Sequence, residues 1–285
     1  MPTFQTPEPI VVAIEVVVGN IKVVASDRTD TVVEVRPTNE SKKEDVRAAE
    51  QTEVDFAAGT LSVKAPKGWR LYTPFGGNES IDVTIEVPTG SQLRGNASVC
   101  QFHGTGELGQ CDLKTSAGDL QLEKAGPVVL HTTGGNITID KAVGRTSITT
   151  GSGIVRIREI DGTAIIKNSN GDNWIRDAVG DLQVNTANGN ITVERPRSSV
   201  TARTSNGNIR IGDASRGTVR LQTSAGELEV GIRPGSAAWL DINTKHGTVQ
   251  NLMETVDQPD DAADKVEVYA RNSFGNIIIR HATAV

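Results

Sequence analysis

Over the C-terminal two thirds of the chain, apolar and polar residues alternate in short runs, and each run closes on a glycine. Aligned on one glycine column, the chain repeats at Gly118, Gly135, Gly153, Gly171, Gly189, Gly207, Gly226, Gly247 and Gly275, with steps of 17, 18, 18, 18, 18, 19, 21 and 28 residues. The segments around these glycines include TSAGDLQL, TTGGNITI, TANGNITV, TSNGNIRI and TSAGELEV. A second column lies upstream at Gly109, Gly126, Gly144, Gly162, Gly180 and Gly217, with Ser198 standing in once. Each coil of about 18 residues therefore has two halves, and each half is a short alternating strand followed by a corner.

The inward positions can be written out. Before the main glycine come pairs such as Val128 with Leu130, Leu182 with Val184 and Val219 with Leu221; after it come Leu120 with Leu122, Ile191 with Val193 and Ile209 with Ile211. A constant step with an unchanging in/out phase sets each residue above its equivalent in the next coil, which is parallel stacking; reversing hairpins would not preserve it. Two such sheets back to back bury four apolar side chains per coil, each worth about 1.5–3 kcal/mol. The pattern predicts an all-β chain whose main element is a two-faced parallel β-solenoid, right-handed as parallel crossovers generally are. A three-sided coil would favour a six-residue period, whereas the glycines mark nine.

Three residues before each main glycine the inward phase holds a polar residue, as at Thr115, Thr132, Thr150, Asn168, Thr186, Thr204, Thr223, Thr244 and Asn272. A buried hydroxyl or amide left unpaired costs about 1–3 kcal/mol, so this column must bond to the backbone or to its own equivalents. Asn136, Asn190, Asn208 and Asn276, just after the glycine, predict a second, exposed ladder.

Residues 1–90 lack the repeat. Their alternating runs, separated by Gly-Asn, Asp-Arg-Thr-Asp and Ala-Ala-Gly turns, predict a small antiparallel β-sheet that caps the solenoid of residues 91–285. Charged Ser41 to Gln51 suits a short helix or a solvated loop. An acidic insertion near residues 255–264, with Asp257, Asp260, Asp261 and Asp264, reads as a solvated loop, since its spacing matches no EF-hand.

Composition supports thin cores: 36% of residues are hydrophobic, only 4% aromatic, and 29 of 285 are glycine. A formal charge of −6 gives no reason to expect nucleic acid or an anionic membrane as partner. Nothing at the N-terminus reads as a targeting signal, and Ile10 to Val18 is too short to span a bilayer, so a cytoplasmic location without membrane insertion is expected. Cys100 and Cys111 read as buried thiols.

Candidate chemistry is sparse. His103, His131, His246 and His281 are scattered, and no HExxH, CxxC, GxSxG or phosphate-binding loop occurs. The calcium-binding nonapeptide roll needs corner aspartates, and here Ser, Thr, Ala and Asn take those places. No metal, cofactor or catalytic residue is therefore assigned. Polysaccharide-cleaving β-helices need two carboxyl groups within about 5–9.5 Å; Glu229 and Asp241 each lie apart from a second acid. The outward columns remain. One carries Trp174 with Arg156 and Arg210, and an indole among guanidinium groups suits a sugar ring or a partner's side chain. The competing reading turns Trp174 inward in place of Asn173. Trp69 and Trp239 are expected to pack in the cap and an irregular coil.

The repeat series, with the opening VVVGNIKVVASD, resembles a family of bacterial β-strand-repeat proteins labelled "putative adhesin", over nearly the whole chain. The resemblance implies a parallel solenoid and, by its label, surface attachment; it brings no catalytic residues. Three functions follow for testing: a non-enzymatic scaffold presenting polar stripes to a protein or glycan, a self-assembling element comparable to bactofilins, and a carbohydrate-active enzyme.

Overall fold

The computed structural model describes residues 1–66, 79–253 and 264–282. Trp69 and most of the acidic stretch at 255–264 lie outside the described residues. The described residues are all-β apart from one short helix, and the chain divides into two compact units, Met1–Asp140 and Lys141–Val285.

In the first unit the organising strand is Val11–Ser26. Its buried side chains are Val12, Ile14 and Val16, then Ile21, Val23 and Ala25, so the inward phase switches from even to odd across Gly19. Relative to Gly19 these are the inward positions of the repeat, and the strand is a coil of the solenoid. It pairs parallel with Gln92–Leu108 along nearly its whole length, with Gly19 opposite Cys100. Its other edge is shared in parallel by two shorter strands, Thr60–Lys64 and Ile81–Pro88. The antiparallel pairings expected of residues 1–90 lie outside these: Asp30–Pro37 on Ile81–Pro88, Thr3–Gln5 on Asp30–Pro37, and Glu53–Ala57 on Thr60–Lys64. The opening strand thus belongs to the parallel stack, and the antiparallel strands are inserted between it and the coil that follows.

Lys43–Glu50 is helical and packs against Asp30–Pro37, burying Asp45 and Ala48. Asp45 earns its burial by accepting from the Ser80 N–H and pairing with Lys42, both at 3.0 Å. The coil Gln92–Leu108 buries Phe102 where its neighbours place Ile21 and Leu120. Gly95 makes the room: a Cβ there would come within 2.6 Å of the Phe102 ring. From here Cys111–Ala117 and Val128–Gly134 stack in parallel register, Leu113 on Leu130 and Thr115 on Thr132.

In the second unit one sheet stacks Thr146–Ser152, Ala164–Asn170, Leu182–Asn188, Val200–Arg203 and Gly217–Ala225. The other stacks Val155–Asp161, Asn173–Ala178, Ile191–Pro196, Ile209–Ala214 and Leu228–Ile232. The steps keep the predicted register, as in Ile157 on Ile175 on Val193 on Ile211, except for a shift between Ile211 and Ala214 against Leu228–Ile232. Gly207 shows why the corner is glycine: its φ is +149° and an added Cβ would lie 2.1 Å from the Gly189 carbonyl oxygen.

Sequence order breaks at the end of this unit. Gly217–Ala225 pairs not with Ala237–His246, the next strand of its sheet, but with Lys265–Phe274, and Ala237–His246 lies on the far side of that strand. The other sheet does the same, with Ile277–His281 between Leu228–Ile232 and Val249–Asn251. Residues 265–281 fill a layer that the chain has already passed.

Most of the polar column bonds to the corner backbone, while the Thr150 and Thr186 hydroxyls, contrary to the expectation, are buried without a hydrogen-bond partner among the described residues. Thr115, Thr132, Thr204 and Thr223 donate to the carbonyls two residues on, at 2.9–3.3 Å. Asn168 and Asn272 donate to Gly153 and Gly226 carbonyls, each at 3.0 Å. Side-chain ladders of the expected kind form instead on the exposed surface. Asn206 donates to Asn188 and Asn188 to Asn170, each at 2.9 Å. In a neighbouring column, Asn208 N–H bonds to Asn190 Oδ1 and Asn190 N–H to Asp172 Oδ1.

Candidate functional site

Within the second unit, the coil around Gly171 departs from the repeat by placing polar residues inside. Its first inward position after the glycine, Val or Ile in the flanking coils, is Asn173, which is buried and donates to the Gly171 carbonyl at 3.3 Å. Asn168 completes a small internal amide pair by donating to Asn173 Oδ1, also at 3.3 Å. Four residues after Asn173, Asp177 is 8% exposed, at a position where the neighbouring coils carry half-buried Glu159 and Arg195. Burying two amides and a carboxylate in one coil works against a core built from Val and Ile, and such local departures cluster at functional positions.

With Asn173 inside, Trp174 points outward. Register places it between Arg156 and Thr192, with Arg210 one strand further on. The indole is half-buried and fixed, its N–H donating to Glu194 Oε1 at 3.0 Å. Beside it lies a shallow hollow of about 380 Å³, lined by Ile154, Arg156, Asp172, Asn173, Trp174, Asn190 and Thr192. Arg156 is exposed and makes no ion pair among the described residues. Arg210 is drawn the other way, to Glu229 at 3.5 Å. The structure therefore brings Arg156 and Trp174 together at the hollow and leaves Arg210 outside it.

Sequence reasoning missed the charge cluster along the same strand. Asp177 Oδ2 accepts from Arg176 at 3.1 Å and Arg195 at 2.8 Å, and Arg197 lies 4.0 Å from Oδ1. Three guanidinium groups share one carboxylate, so the cluster has an excess of positive charge at the end of the strand away from the hollow, which Arg156 and Asp172 line. The surrounding segment is cationic as a whole: residues 141–220 contain twelve Lys and Arg against seven Asp and Glu, in a chain whose net charge is −6. The signal was present in the sequence but hidden by the overall acidity.

Other candidates resolve differently. Trp239 does not pack in an irregular coil as expected; it is 55% exposed and its ring meets Tyr269 at 5.3 Å, because Ala237–His246 is the last layer of its sheet and has no strand beyond it among the described residues. Arg220 lies over the Tyr269 ring at 4.6 Å. His246 stacks on Phe274 at 4.9 Å. Among the described residues no three His, Cys, Asp or Glu side chains group as metal ligands. Cys100 and Cys111 are free and buried; burial pushes each thiol up to about 12, helped at Cys100 by the Asp82 charge. No helix among the described residues is long and apolar enough to cross a membrane.

A coil of two parallel strands, glycine corners and a thin aliphatic interior is the architecture of a β-solenoid repeat protein. The chain belongs to the family described as Toastrack DUF4097, which matches residues 11–250. No curated protein sequence matches the chain. Among solved structures it is similar to a "putative adhesin" from Parabacteroides distasonis, at 13% identity over 98% of this chain and 95% of that one, with a TM-score of 0.43. A "putative adhesin" from Parabacteroides merdae has 11% identity over 96% and 94%, with a TM-score of 0.42. One from Bacteroides fragilis has 13% identity over 98% and 95%, with a TM-score of 0.39.

Proposed function

We propose that this protein is a non-catalytic scaffold that binds a protein or glycan partner through the outward columns of its second unit, with Trp174 and Arg156 at the contact and Arg210 at its margin. The observation that supports the reading most is the Gly171 coil. Among the described residues it alone combines a buried Asn pair, a buried Asp and an outward, hydrogen-bonded indole, while the flanking coils of the second unit place Val155 and Ile191 where it has Asn173. Binding surfaces favour such rigid aromatic anchors, because little side-chain freedom remains to be lost. The antiparallel strands Thr3–Gln5, Asp30–Pro37 and Glu53–Ala57 serve in this reading as cover for the first unit's stack rather than as part of the binding surface.

The test is capture of partners from the native cell by wild type and by Trp174→Ala. Loss of a specific partner, with the thermal unfolding profile unchanged, is the expected result. An identical set of partners from both proteins would refute the assignment of the site, and turnover of a captured glycan would refute the non-catalytic reading.

A further inference from the structure

We infer that the ligand of this face is an acidic polysaccharide, carrying uronate carboxylates or sulfates, lying along the strand Asn173–Ala178. The inference rests on the scaffold reading above and names the chemistry of the partner. Starting at the hollow, the strand direction leads from Arg156 and Trp174 to Arg176 and then to Arg195 and Arg197 at the corner. At about 3.3 Å per residue, the path from position 174 to 178 is roughly 13 Å long, enough for several anionic groups in succession. Guanidinium groups suit this task because their planar forks pair bidentately with carboxylate or sulfate. Asp177, tucked beneath, holds Arg176 and Arg195 in place through bonds of 3.1 and 2.8 Å. Glu194 accepts from the indole and Asp172 from both nitrogens of Asn190; these are neutral donors that do not offset a carboxylate's charge, so the ligand's anionic groups are placed at Arg156 and at the Arg176, Arg195 and Arg197 end of the path, and its ring on the indole.

The same observations weigh against other polyanions. A peptide cannot add a strand here, because Asn173–Ala178 is paired on both sides, with Val155–Asp161 and Ile191–Pro196, so an acidic peptide would have only the guanidinium groups to hold it, and poly-glutamate is the probe for that case. Single-stranded nucleic acid calls for a series of aromatic platforms, one for each stacked base. This column offers one indole, followed by Thr192, Arg210 and Glu229. One fixed ring flanked by hydroxyl, amide and guanidinium groups fits a single pyranose among charged neighbours.

The experiment is calorimetric titration of the full chain with polygalacturonate and dextran sulfate, alongside neutral dextran, poly-glutamate and oligo(dT). An acidic polysaccharide is expected to bind, with affinity falling as salt rises. The double variant Arg156→Gln/Arg197→Gln should weaken binding at least tenfold and flatten the salt dependence, while Arg203→Gln on the other sheet should leave it unchanged. Trp174→Ala should weaken uronate and sulfate polymers alike. Both variants are checked by thermal unfolding, and Arg156→Gln alone, at an exposed position, serves if the double variant unfolds. Equal binding of neutral dextran, poly-glutamate or oligo(dT), or wild-type affinity in the double variant, would overturn the inference. If no acidic polymer binds while capture from cells still depends on Trp174, the inference fails and the scaffold reading stands; if capture is also indifferent to Trp174, both fail.

Discussion

The outermost layers of the two units solve the same problem to different degrees. In each unit a segment near a chain terminus lies second from the outside: Val11–Ser26 inside Thr60–Lys64 and Ile81–Pro88, and Lys265–Phe274 inside Ala237–His246. In the first unit the outer layer is itself covered by antiparallel strands, and Phe4 and Phe56, on the two outermost of these, meet at 5.4 Å. Leu61, Val63, Ile81, Val83 and Ile85 in that layer are accordingly buried. In the second unit nothing among the described residues extends the last layer. Leu240 and Ile242, in the inward phase, are only half-buried, and Trp239, Val249 and Leu252 are exposed. Equivalent sequence patterns thus yield full burial or half burial according to what lies one layer further out.

Four experiments separate what the layers share from what they do not. The largest effects are expected where they are alike, at the corner glycines. In Gly19→Ala and Gly275→Ala the new Cβ would come within 2.0 Å of the Ile81 oxygen and 2.1 Å of the Gly226 oxygen, at φ of +156° and +126°. Each should cost on the order of 3 kcal/mol or more, read as a lowered midpoint of denaturant unfolding; a stabilised Gly275→Ala would refute the inserted layer. Next comes Leu61→Ala against Leu240→Ala. The first removes a fully buried side chain and should cost about 2–5 kcal/mol, whereas the second should cost about half as much, and equal losses would mean that the last layer is covered in solution.

Smaller in free energy but decisive in pattern is amide exchange. Because Ala237 N–H bonds to the Asp264 carbonyl, alternation directs the N–H groups of Ala238, Leu240, Ile242 and Thr244 away from the stack. These should exchange well before the amides of Ile81–Pro88, and uniform protection would contradict the contrast. The last experiment has no effect at neutral pH. Both cysteines lie in the first unit with thiols raised to about 12 by burial, so the folded state holds their protons more tightly than the unfolded chain does. Their contribution is fully present below the unfolded value of about 8.5 and is lost as pH rises from there towards 12. Alkaline titration should therefore loosen the first unit before the second, and Cys100→Ala/Cys111→Ala should remove the difference.

How much of this was legible depended on whether the signal was local. The coil length, the inward columns and the glycine corners repeat within 18 residues, and the register of Ile157, Ile175, Val193 and Ile211 follows directly. The opening coil escaped notice because its partner lies 81 residues on, where Cys100 replaces the corner glycine and Gly95 and Gly104 occupy inward positions. No periodicity spans such a gap. The exchanged layer at 265–281 was hidden for a related reason: both candidate neighbours carry the same pattern, so the columns are right in either order. At the candidate site, Trp174 and Arg156 were found from their column, while the orientation of Trp174 hinged on whether the core would accept Asn173. The Asp177 cluster needed the corner geometry that folds Arg195 and Arg197 back towards Arg176.

The exchanged layer also bears on how the chain can be completed. A ribosome releases residues 237–251 before 265–281, so the earlier segment must either wait loosely or settle directly on Gly217–Ile232, in the berth that the later one finally occupies. In the second case it has to lift off and move outward by one layer spacing, about 4.8 Å, before maturation can finish. Assembly of this unit is therefore not a simple zipper running from one coil to the next: either residues 237–251 dock after the segment made later, or that latecomer is wedged between two surfaces already in contact.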